Sequence, residues 1–495
     1  MADVAGQTGQ EDRQRKQHIP RGPELRRSLR FLTAAWLFGA VWLTATSGAP
    51  LTLFAHALGA SNLQFGLLSA IPFAAWLVSL PASWLIDRTG RRKLIFMLGL
   101  YLQRLMWIPI ALLPQALRHI HGGGPGSPAT IGFLLLILIM YCGNSIGSPA
   151  WVSWMADLVP DRKRGKYFGR RRGWGMVTTI PAAIIVGLIL DRLLGDDTAD
   201  PARILGICGY IFMAAAVFGT MDVALHHPIP AIPAKPVNDP DPLAGFTKPL
   251  TDHNFLWFVG FAGTMNFAVS FMAQFVTLYV IDKLKVTNTG TQMMLIAIPA
   301  LAQLLVLSGW GHAVDRYGKK PVMAIASLGL VPVGFGWCFM NSGAVWLGYL
   351  LTALGAALFC GVEVANLNIM LEMSGTDESA GGGGSSYAAV NSIIYNICGC
   401  LGGIIAGIIA QLLKDWTWDI GLFGLAPISF YEVLFALSGV MRLVAVVVFL
   451  PRVHEPAAKP AREALRFMTS NIYNNLFNVV TMPWRATMGR RHQDQ

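Results

Sequence analysis

Charged side chains are absent from six long stretches of the chain: residues 31–86, 119–156, 253–281, 286–314, 321–362 and 379–413. Apolar residues there surround the helix on every side instead of alternating. That pattern excludes a membrane barrel, whose strands run to about ten residues of alternating polarity. A bilayer-spanning helix needs ~20 mostly apolar residues, so the shorter stretches hold one span and the longest hold two. Turn chemistry divides the long ones, at Ala60-Ser61-Asn62 and at Asn341-Ser342-Gly343. The pattern predicts twelve helical spans: 31–56, 63–86, 94–113, 130–155, 173–191, 203–225, 254–281, 289–314, 321–340, 344–370, 388–413 and 428–450. An all-α integral membrane protein is the expected fold class.

The polar segments organise these spans. Residues 1–30 form a basic tail, too polar for a cleaved secretory signal, and the first apolar run is too long for one. Residues 226–252, HHPIPAIPAKPVNDPDPLAGFTKPLTD, are rich in Pro and Asp and suit an irregular linker. They separate a first six-helix bundle, 31–225, from a second, 253–450. In the tail 451–495, Leu465, Met468, Ile472 and Leu476 recur at helical spacing, which predicts an amphipathic helix lying on the membrane surface.

Composition changes the picture in one respect. Charged residues make up 13% of the chain and mean hydropathy is +0.50. Soluble proteins carry about 25% charged residues, so a soluble enzyme is excluded. A net charge of +11 would elsewhere suggest nucleic acid as partner. Here 30 Lys and Arg fall in one set of tails and loops and 6 in the other. That bias is the positive-inside rule. It accounts for the charge without nucleic acid and places both termini in the cytoplasm, in a multi-pass plasma-membrane protein (the inner membrane of a Gram-negative cell). All six cysteines lie inside spans and read as small apolar residues. Neither a metal site nor a cofactor is expected. The histidines near the membrane edges, His226 and His227 among them, read as solvated loop residues.

The two halves repeat each other. Gln64, Asp87, Arg88 and Gly90 recur as Gln292, Asp315, Arg316 and Gly318, each displaced by 228 positions. Ala-Ile-Pro follows each Gln, at 70–72 and 297–299. Internal repeats of this kind are common in transporters. Asp87-Arg88-Thr89-Gly90-Arg91-Arg92, after the second span, resembles the loop 2–3 motif of the Major Facilitator Superfamily, G-x-L-A-D-R-x-G-R-K. Asp315-Arg316-Tyr317-Gly318-Lys319-Lys320, after the eighth, resembles its second-half copy. Ser83 departs from the motif where Gly is usual, whereas Gly311 keeps it. Loop 4–5, Asp157 to Arg172, resembles the basic loop of many bacterial members.

The resemblance implies two pseudo-symmetric six-helix bundles and a solute path lined by helices 1, 4, 7 and 10. It also implies that the motif gates the cytoplasmic side, through Asp87, Arg88, Gly90, Arg91, Asp315, Arg316, Gly318 and Lys319, with Arg164 and Arg170 from loop 4–5. Asp87 would meet the start of helix 11 near Gly384-Ser385-Ser386, and Asp315 the start of helix 5 near Arg170-Arg171-Arg172. An anion at a helix start is favoured by the helix dipole. The acidic loop 10–11, with Glu372, Asp377 and Glu378, is expected to face basic loop 4–5.

Ionisable residues inside spans are costly and are therefore functional candidates. Arg104, Glu363, Glu432 and Arg442 stand out. Glu363, in a cavity-lining helix, is the expected coupling residue. Arg104 and Arg442 read as structural, and Asp222 as interfacial. The expected cavity set is Glu363, Asn366, Asn144, Asn266, Gln274 and Trp42. Neutral amides and an indole suit a polar uncharged or amphiphilic solute. Gly399, Gly403 and Gly407 in helix 11 suggest a groove for close helix contact. The function expected is a secondary transporter, monomeric, moving a small organic solute by alternating access with proton coupling. A proton-driven drug or metabolite exporter is an alternative, although helix 5 has Pro181 and Gly187 without the Gly-Pro cluster of many such antiporters. A membrane sensor or membrane enzyme is the alternative from another class; neither a clustered catalytic set nor a signalling domain is visible for it.

Overall fold

The computed structural model describes residues 20–117, 124, 126–195, 200–232, 247–375, 384–419, 427–455, 462, 463 and 466. Among them are twelve helices long and apolar enough to cross a membrane. They are α1 Gly22–Ala57, α2 Asn62–Thr89, α3 Arg92–Ala116, α4 Pro128–Leu158, α5 Arg164–Leu194 and α6 Pro201–Ala224. The later six are α7 His253–Asp282, α8 Asn288–Tyr317, α9 Lys319–Phe339, α10 Val345–Met370, α11 Tyr387–Leu412 and α12 Phe430–Arg452. The twelve-span, all-helical expectation is met. The predicted tail helix and loop residues Asp377 and Glu378 lie outside the described residues.

Local chemistry interrupts several helices. In α1 the helix breaks at Gly48, whose φ of +66° is open to glycine, with Pro50 at the start of the next turn. In α2, Pro81 has no N–H to bond back one turn, and the helix restarts at Ser79 after a break at Leu77-Val78. In α8, Pro299 has no N–H to donate to the carbonyl one turn earlier, and Met293–Ala297 widen into a π turn.

The chain forms two compact units. The first comprises Met1–Pro240 with Thr287–Met293, so it holds α1–α6 and the opening of α8. The second comprises Asp241–Val286 and Met294–Gln495, with α7, the rest of α8 and α9–α12. The first is centred on Leu32, Phe96, Ala150, Trp154 and Val223. The second is centred on Phe255, Phe258, Phe261, Trp310, Met323 and Cys360. In the first unit α3 and α4 touch backbone to backbone, because a Cβ on Gly99 or Gly143 would stand 2.7 Å from the other's carbonyl oxygen. On α11 the close contact with α7 falls at Gly402, whose Cβ would stand 2.6 Å from the Phe267 carbonyl oxygen. Leu98, Val217, Trp346 and Val447 are among many large apolar side chains left exposed. Such surfaces suit acyl chains.

Candidate functional site

The first motif copy begins where α2 ends. Gly90 takes φ +65° and donates its N–H to the Ile86 carbonyl at 2.8 Å, closing the helix in a left-handed cap. Asp87, Arg88 and Arg91 are exposed around it, and the Arg88 guanidinium lies over the Trp84 ring at 5.2 Å. The next residue behaves differently. Arg92 is buried, pairs with Asp157 at the end of α4 at 2.7 Å, and donates to the Ser153 carbonyl at 2.7 Å.

The second copy is built alike. Gly318 takes φ +100°, and Asp315 and Arg316 are exposed. Glu455 accepts the N–H groups of Lys319 and Lys320 at 3.0 and 2.6 Å, which caps α9. The Lys319 ammonium pairs with Glu372, just beyond α10. In each unit, therefore, a base at the start of the third helix holds an acid at the end of the fourth. Glu372, expected to face loop 4–5, is held by Lys319 of its own unit.

Arg164 and Arg170, expected in loop 4–5, lie within α5, which starts earlier than its apolar run; Arg164 reaches the carbonyls of Ala156 and Val159, and Arg170 is exposed. Their neighbour Arg171 lies between the Trp36 and Trp151 rings, 4.7 and 4.9 Å away. Ser83, the departure from the motif, turns its hydroxyl back to the Ser79 carbonyl at 2.9 Å. A Cβ at Gly311 would meet nothing within 4 Å.

Trp42 is buried under Arg104, whose guanidinium sits 3.5 Å from the ring centre. Arg104 also pairs with Asp222 of α6 at 2.8 Å. Asp222, read as interfacial, is only 3% exposed. It lies on the face of α6 turned to α3, so Arg104 needs no snorkelling. His226 is likewise buried, against expectation. Its Nδ1 hydrogen-bonds with the Asp222 carbonyl at 2.9 Å, its Nε2 has no partner among the described residues, and its ring packs 4.8 Å from Phe96. Burial pushes its pKa below the ordinary 6.5; Asp222 opposes that shift, while Arg171 and Arg104 add to it. Asn144 is half-buried and accepts from Ser148 at 3.4 Å.

In the second unit three spans converge. Asn266 of α7 donates through Nδ2 to the Tyr395 carbonyl of α11 at 2.8 Å. Glu363 of α10 is exposed and lies close to Tyr395. Asn366, one turn on, has its Oδ1 buried with no partner among the described residues. Gln274 is half-buried. Tyr395 thus links two predicted residues, and its only trace in the chain is a phenol among the polar residues Ser392 and Asn396 of helix 11. Glu432, in the first turn of α12, accepts from the N–H and hydroxyl of the N-cap residue Ser429 and pairs with Lys283 at 2.5 Å.

The family model described as Major Facilitator Superfamily matches residues 31–407. Solved structures agree in fold. A variant of the nucleoside transporter NupG gives a TM-score of 0.63 at 15% identity, over 87% of this chain and 99% of that one. The xylose transporter XylE from E. coli, in a partially occluded inward-open conformation, gives 0.63 at 15% identity, over 88% and 100%. A bacterial homologue of the iron transporter ferroportin, inward-facing, gives 0.62 at 13% identity, over 88% and 100%. No curated protein matches the sequence. Twelve spans, two motif copies at equivalent loops and a family match across most of the chain lead to one assignment: this protein belongs to the Major Facilitator Superfamily of membrane transporters.

Proposed function

We propose that this transporter moves a small organic solute by alternating access and couples the movement to protons through Glu363. The supporting observation is an exposed carboxyl inside α10. A charged side chain facing hydrocarbon is expensive, so exposure at that depth calls for water, and a water-facing carboxyl inside a span is suited to exchanging protons. Asn266, Asn366, Gln274 and Asn144 supply neutral amides for a polar uncharged or amphiphilic solute, and the unpartnered Asn366 oxygen is an acceptor for it. Asp87 and Asp315, with the basic residues around them, act as the gate of the cytoplasmic side, and both termini lie in the cytoplasm at the plasma membrane.

A thermal-shift screen of sugars, amino acids, nucleosides and drugs selects the solute. Its flux into proteoliposomes is then measured with and without a pH gradient. Wild-type flux should rise with the gradient, and Glu363→Gln should exchange solute but lose that response. An undiminished response in the variant overturns the role of Glu363.

A further inference from the structure

Asp191, at the end of α5, is absent from the motifs and from the cavity set, yet it holds the start of another helix. Its Oδ1 and Oδ2 accept the N–H groups of Asn288 and Thr289, the first two residues of α8, at 2.8 and 2.9 Å. The internal repeat shows what this contact replaces. Displacement by 228 positions matches Ser61 and Gln64 of α2 with Thr289 and Gln292 of α8. In α2 the pair forms a reciprocal cap: the Ser61 N–H donates to Gln64 Oε1 at 2.8 Å, and the Gln64 N–H donates to Ser61 Oγ at 3.3 Å.

In α8 the same residues do not cap. The helix begins earlier, with Thr287 as its cap, and Thr287 Oγ1 accepts the Gly290 N–H at 3.1 Å. Gln292 is fully buried, and neither its Oε1 nor its Nε2 has a partner among the described residues. A buried amide in that condition is costly. Its expected donor, the Thr289 N–H, has gone to Asp191.

We infer that Asp191 and Gln292 compete for the start of α8, and that exchange between them is a step of the transport cycle. With Asp191 engaged, α8 keeps its first turn and Gln292 is unsatisfied. With Asp191 withdrawn, the Thr289 N–H passes to Gln292 as in α2, the helix shortens to begin after Thr289, and the carboxylate returns to water at the membrane edge. Each arrangement satisfies a group that the other leaves wanting, which makes the segment a two-state element. The last clause of the inference rests on alternating access; the competition itself does not.

The test uses Thr291→Cys, a position fully buried in this arrangement, in the full chain in liposomes. Labelling by a membrane-impermeant maleimide is followed against the unmodified chain as blank. Asp191→Asn should raise the labelling rate about tenfold, because it weakens charge-assisted bonds to two backbone donors. Gln292→Ala removes the competitor and should lower the rate. Both variants shifting the rate in the same direction, or neither shifting it, overturns the competition. Opposite shifts with unchanged solute exchange would retain the competition and overturn its place in the cycle.

Discussion

Arg104 and Arg442 are both buried arginines, but their surroundings differ in kind. Arg104 has Asp222 at 2.8 Å and the face of Trp42. Among the described residues Arg442 has only the Leu330 carbonyl at 2.9 Å and the Met272 sulfur at 3.3 Å. Removing one member of a buried pair strands the other, at a cost of about 3–5 kcal/mol. Arg104→Met should therefore lower the unfolding midpoint in detergent sharply, and adding Asp222→Leu should recover most of the loss. Arg442→Met strands no acid and should cost much less; equal losses in the two single variants would refute the pairing argument. His226 yields a pH dependence. Its folded pKa lies below the ordinary 6.5, so below about pH 6.5 the unfolded chain takes up a proton that the folded one refuses. Stability should fall as pH drops from there toward the depressed folded value, with no contribution at higher pH. His226→Gln, melted across pH 7 to 5, should show a shallower fall than wild type.

At the scale of elements, most helix ends were legible because caps and breakers are local. Ser61 with Gln64, and Gly90, act within one turn of themselves, so their residue types suffice. The spans were legible for a different reason: lipid requires each segment to satisfy its own backbone. The partner that holds the start of α8 was not legible. The residues there carry the capping pattern of α2, but a carboxylate 97 positions earlier overrides it. On α11 the glycines read from the sequence, Gly399, Gly403 and Gly407, are all buried. Glycines at intervals of four mark a possible face, while the neighbouring helix chooses the contact, here Gly402 against Phe267.

For the whole molecule, the two motif copies sit at equivalent loops, and each unit locks its third helix to its fourth through its own ion pair, Arg92–Asp157 and Lys319–Glu372. Asp87 and Asp315 take no part in those pairs and are exposed. Asp87→Asn should lower transport turnover several-fold while the protein still inserts and purifies normally; wild-type turnover would remove Asp87 from the gate. Residue order alone carries the number of spans, the internal repeat and the family, because the bilayer imposes length and polarity on every segment separately. Which buried charges meet which is another matter. Asp222 with Arg104, Glu372 with Lys319 and Asp191 with α8 are pairings between segments far apart in the chain. Nothing local distinguishes those acids from solvated ones; packing of the helices selects the face each one presents.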